Sequence, residues 1–115
     1  MGKQGHALIP VSFIGDGNAT KLIVAAPGVG WRLRIYRCSW NVDADVATGT
    51  FFLTDATNSY DPIGKPKAGL VYGFNTNPNY IPLPENTGLT LDKDSETTST
   101  NIFCLYTKER ISASA

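Results

Sequence analysis

The sequence predicts an all-β chain, a single-domain antiparallel β-sandwich of jelly-roll type with seven to eight short strands, with full closure into a barrel as the alternative. Three observations lead there. Apolar residues fall in short runs rich in β-branched and aromatic types, and they alternate at a period of two. Turn-forming clusters such as "GDGN", "PGVG" and "NTNPN" punctuate these runs, and the strands recur at 8–14-residue spacing. No apolar pattern holds helical spacing for more than a turn. A chain of 115 residues is long enough for one domain that buries roughly two thirds of its unfolded surface.

The elements follow in order. "ALIPVSFI" (7–14) is a first strand, and Pro10 assigns it to a sheet edge because proline cannot donate to a ladder. "TKLIVAA" (20–26) is a second strand. The third runs from Trp31 to about Val42 within and beyond "GWRLRIYRCSW", where alternation places Trp31, Leu33 and Ile35 inward and Arg32, Arg34 and Tyr36 outward. Past Ile35 the parity fails, since Cys38, Trp40 and Val42 form the apolar set. A β-bulge near Tyr36–Arg37 is the economical explanation, and a strand covered on both faces near its end is the other.

"TGTFFLTD" (48–55) is a fourth strand, and "ATNSYDPIGKPKAG" (56–69) reads as a long connection of the kind that carries function or motion. "LVYGF" (70–74) is a fifth strand. "YIPLP" (80–84) is a short extended piece held to an edge by its prolines, and "TGLTLD" (87–92) alternates with Leu89 and Leu91 inward. "NIFCLYTKERI" (101–111) is apolar on both parities through Tyr106, which makes it a central strand. Residues 1–7 read as a flexible segment and 112–115 as a free tail.

Ten Lys and Arg balance ten Asp and Glu, so no net field draws a polyanion or an anionic membrane surface. The charges are nevertheless divided. Residues 1–40 hold Lys3, Lys21, Arg32, Arg34 and Arg37 against Asp16 alone, and the remainder is acidic by the same margin. Such a division suits docking between proteins unless folding interleaves the halves. No stretch reaches the length of a membrane span, and "MGKQGHALIP" is too short and interrupted for a signal peptide. Cys38 and Cys104 lie in apolar runs, where reduced thiols act as small buried hydrophobes; a disulfide is the alternative.

Candidate chemistry is sparse. A hydrolytic triad would have to use His6, the sole histidine, in a glycine-flanked segment that offers no rigid partner. "GDGN" and "VDAD" (42–45) lack the spacing and glutamate of a calcium loop, and "PGVGWR" lacks the third glycine and helix of a phosphate cradle. No catalytic residue, metal ligand or cofactor site is expected. Three arginines on one strand are too few for a nucleic-acid grip, but arginine pairs carboxylates bidentately at protein contacts. Tyr60 and Tyr80 are the loop aromatics on which a sugar would stack, while Trp40 and Tyr72 read as core.

The order "TKLIVAAPGVGWRLRIY", a strand ending "LTD", "GF" before an Asn-rich loop, "IPLPENTGLTL" and "FCLYTKE" resembles small β-sandwich structural proteins of tailed bacteriophages. Head decoration, or cement, proteins are the most similar. The likeness covers residues 20–108; "MGKQGHALIPVSFI" and the 56–69 segment have no counterpart. It implies a non-enzymatic virion protein, made in the host cytoplasm, that forms a homotrimer on the capsid surface and bridges subunits of the major capsid protein without nucleic acid or membrane. Arg32, Arg34, Arg37, Tyr60, Tyr80, Pro82 and Pro84 are the expected contact residues. A carbohydrate- or receptor-binding module of a phage fibre or tail is the alternative.

Overall fold

The computed structural model describes residues 8–15, 20–55, 57–93 and 98–111. His6, the segment 1–7 expected to be flexible and the expected tail 112–115 therefore lie outside the described residues, as does most of "GDGN". Nine strands are present among the described residues: β1 (Ile9–Gly15), β2 (Thr20–Val24), β3 (Trp31–Val42), β4 (Thr50–Thr54), β5 (Ser59–Gly64), β6 (Tyr72–Asn75), β7 (Ile81–Pro82), β8 (Leu89–Asp92) and β9 (Thr100–Arg110). They form two antiparallel sheets, one in the order β1-β9-β3-β6 with β7 also on β3, the other in the order β2-β8-β4-β5. Apart from the short β7, this is the jelly-roll arrangement, in which strands distant in sequence become neighbours.

The core lies between the sheets. Leu33, Ile35, Cys38, Trp40 and Val42 from β3 meet Phe51 and Leu53 from β4, Leu89 and Leu91 from β8, and Ile102 and Cys104 from β9. Trp40 sits 5.4 Å from the Phe51 ring, an aromatic contact that joins the two sheets, and 4.9 Å from the ring of Tyr72, its neighbour on β6 of the same sheet. Trp31 shares the inward parity of Leu33 but is half-buried at the sheet's end, with the Arg110 guanidinium 5.7 Å from its ring. Cys38 and Cys104 are paired directly across β3 and β9, free and fully buried. The Cys104 contact, with burial, pushes the Cys38 thiol above its ordinary range, which keeps it protonated and unreactive.

The bulge stands where the parity break places it. Between β3 and β9 the register slips from Ile35 to Arg37, leaving Tyr36 unpaired. On the opposite edge of β3 the same residue marks the gap between β7, which pairs Arg34 and Ile35, and β6, which begins its pairing at Arg37. The Tyr36 carbonyl accepts the Thr76 N–H (2.8 Å), the Asn77 N–H (3.2 Å) and the Thr76 hydroxyl (3.0 Å). One irregular residue thus anchors the β6–β7 connection.

The 56–69 segment is not the long connection expected. It contains β5, which pairs with β4 through Tyr60, opposite Leu53, and Ile63, opposite Phe51. One extra residue on β5 forms a second bulge there, and Asp61 takes a φ of 50°. The bulge removes the alternation that would identify a strand, and Pro62 faces an edge that needs no donor.

Candidate functional site on the outer face of the larger sheet

β1, β9, β3 and β6 present their second face outward, and β-sheet register arranges its side chains in rows. Before the bulge, one row joins Arg32 to Glu109 and the next joins Arg34 to Thr107. Beyond the bulge come three more: Pro10, Leu105, Arg37 and Asn75; then Ser12, Phe103, Ser39 and Gly73; then Ile14, Asn101 and Asn41, with Val71 just past the end of β6. The bulge divides this face into two unlike halves.

The first half is closed by its own contacts. The Arg32 Nε donates to Glu109 Oε1 at 2.7 Å, and this hydrogen bond raises the arginine's pKa. Arg34 lies 3.7 Å from the other Glu109 oxygen, donates to the Tyr36 hydroxyl at 3.0 Å, and sits 4.2 Å from the Tyr80 ring. Tyr80 packs on Tyr36 at 5.4 Å. Only 17% of the Arg34 side chain is exposed, against 36% for Arg32. The expectation of Arg34 as an open docking charge is corrected: it is the centre of an intramolecular cluster. The cluster also shows the divided charges interleaved, since arginines of the basic half pair with Glu109 of the acidic half. Pro82 pairs opposite Arg34 and is exposed, as is Pro84.

Tyr60 is also reassigned. It is half-buried against the core and its hydroxyl donates to Asp55 Oδ2 at 2.6 Å, so it is a packing residue of the β4–β5 hairpin rather than a free loop aromatic. Asp55 is buried and accepts further hydrogen bonds from the N–H groups of Thr57 (2.9 Å) and Asn58 (2.7 Å) and from the Asn58 amide (3.2 Å). Burial would raise its pKa, but the Tyr60, Asn58 and Thr57 hydrogen bonds together hold it below the usual carboxylate value. Tyr60 moves the other way, to about 12, through burial and its bond to Asp55. This is a structural clasp on the β4–β5 hairpin.

The second half of the face is open. Two adjoining depressions of about 240 Å³ and about 260 Å³ share Arg37, Ser39 and Val71. Their floor is low because Ser39 and Gly73 are small. Gly73 has a φ of 104°, and a Cβ there would drive into the Cys38 carbonyl oxygen. The Arg37 guanidinium lies 4.9 Å from the Phe103 ring, a cation–π contact. Among the described residues it has no ion pair or hydrogen bond. At the far end Asn101 donates through Nδ2 to Asn41 Oδ1 (2.8 Å) and Asp43 Oδ1 (3.0 Å). That fixes both amides and leaves the Asn41 amide N–H and the Asn101 carbonyl oxygen free to meet a ligand.

Phe103, Ser39, Asn41 and Asn101 were not singled out by the sequence. Arg37 was, and its place just past the parity break was the available signal. Among the described residues no group of three His, Cys, Asp or Glu side chains is placed to hold a metal ion, and no helix is long and apolar enough to cross a membrane. Asp45 of "VDAD" instead accepts the Ala68 N–H at 2.9 Å.

No protein-family model and no curated protein matches the chain. Among solved structures, a chain described as "Bacillus endospore appendages form a novel family of disulfide-linked pili" superposes over 97% of this chain and 96% of its own length, with 12% sequence identity and a TM-score of 0.48. That degree of likeness carries no functional weight.

Proposed function

We propose that the chain is a non-enzymatic structural protein of a phage virion, a decoration protein that forms a homotrimer on the capsid surface and bridges subunits of the major capsid protein. The observation that carries this reading is the amount of large aliphatic surface left uncovered on a small sandwich. Val29 is 80% exposed, Val71 69%, Ile14 62%, Leu22 58% and Leu70 53%. Ile14 and Val71 end the same outer row, and Leu70 adjoins Val71 in sequence. Apolar side chains grouped at a sheet's rim mark surfaces that find cover in an assembly. Unpaired strand edges at β1 and β2 gain the same protection. The sequence resemblance to cement proteins supplies the type of assembly. A trimer touching several shell subunits holds firmly through effective concentration even when each contact is weak.

Light scattering after size exclusion is expected to give three times the monomer mass, and Val71→Glu to lower it. Cosedimentation with undecorated heads is expected to recover bound copies. A monomer at high concentration removes the trimer, and absence from the head pellet removes the capsid role.

A further inference from the structure

We propose that the open trough around Arg37 is a binding site for a carboxylated saccharide. The site adjoins the rim that would serve assembly and shares Val71 with it, but its polar groups on Arg37, Ser39, Asn41 and Asn101 are separate from that rim. Its chemistry is carried by four strands of a packed sheet, a more rigid platform than a loop. Arg37 supplies the charge. Its guanidinium is placed by the Phe103 ring at 4.9 Å and is otherwise without a partner among the described residues. A cation so placed keeps its planar fork of N–H donors available for a carboxylate.

The rest of the lining favours a sugar over the acidic side chain of another protein. A lone carboxylate uses donors alone. This trough offers donors and acceptors together: the Asn41 amide N–H, the Asn101 carbonyl oxygen, and the hydroxyls of Ser12 and Ser39. Sugar hydroxyls both donate and accept, and they satisfy such a mixed set. Ser39 is 9% exposed, and among the described residues its hydroxyl has no hydrogen-bond partner. Phe103 and Val71 give apolar walls for the C–H faces of a ring or an acyl methyl. The two depressions, about 240 Å³ and about 260 Å³ and open to solvent, form a shallow trough rather than a deep single-ligand pocket.

The test is an amide-resolved NMR titration of the full chain with sialyllactose, a glucuronate-containing disaccharide, lactose and glutamate. Saturable shifts are expected at Arg37, Ser39, Asn41 and Asn101 with at least one acidic saccharide. Lactose and glutamate are expected to bind about tenfold more weakly or worse, the loss that accompanies removal of a charge-assisted contact. Arg37→Gln is expected to reduce acidic-saccharide affinity by about tenfold with an unchanged melting temperature, and Asn101→Ala to reduce it several-fold. No saturable shift with either acidic saccharide overturns the proposal, as does lactose binding equally well. Glutamate binding equally well also overturns it, by showing that the trough reads a carboxylate alone, as from a partner's acidic loop. If Arg37→Gln does not fold, the wild-type contrast among the four probes decides in the same way.

Discussion

Arg34 and Arg37 lie three residues apart on one strand and face the same side of one sheet, yet their surroundings differ completely. Arg34 is covered by Tyr80, bonded to the Tyr36 hydroxyl and set beside Glu109. Arg37 rests on Phe103 above a floor of small residues and meets no anion among the described residues. What separates them is the bulge at Tyr36, which changes the strand on the far edge of β3 from β7 to β6. The charge on a strand therefore says little about its use. The partner strands decide, and a single inserted residue can exchange them.

Four substitutions probe this contrast, each read by denaturant unfolding. Trp40→Ala removes the aromatic support beneath the open half and is expected to cost the most, about 3–5 kcal/mol, as for other buried large-to-small changes. A smaller loss would mean that the trough floor is not held from below. Asp55→Ala supplies the reference for a charge that is fully satisfied, and losing it strands the Tyr60 hydroxyl and two backbone N–H groups, at roughly 2–3 kcal/mol.

The same site has a pH signature. The folded pKa of Asp55 lies below its unfolded value, so its contribution is complete above about pH 4 and is lost as pH falls through the lowered folded value. Tyr60 is raised to about 12, so its contribution holds below about pH 10 and is lost as pH rises towards the folded value. Stability of the wild type is expected to fall on both flanks, and the acid flank to flatten in Asp55→Ala.

Arg34→Glu is expected to cost roughly 1–2 kcal/mol, because it places a carboxylate beside Glu109 and strips the tyrosine cluster of its cation. Arg37→Glu is expected to change stability by no more than about 0.5 kcal/mol. Equal losses for these two variants would erase the distinction between the halves.

The architecture was legible because alternation and turn chemistry are local signals. The same holds for the bulge, which announces itself as a parity failure between Ile35 and Cys38, and for the central place of the last strand, now β9 between β1 and β3. β5 was hidden because its own bulge at Asp61 and its proline erase the period on which strand recognition depends. The closed state of Arg34 was hidden for another reason. Its partners Tyr80 and Glu109 are supplied by the jelly-roll topology, not by neighbours in the chain. The trough is less legible still, since each of its rows draws on strands that only the folded register sets side by side.

Gly73 gives this arrangement a consequence for how the surface can change over time. A side chain there collides with the β3 backbone, and the left-handed φ adds strain for any other residue. The position is closed to gradual substitution, whereas Val71, Ser12 and Asn75 around it can vary without disturbing the ladder. Descendants of this sequence can therefore retune what the trough holds by exchanging its walls, while the part of its floor that Gly73 forms is inherited unchanged.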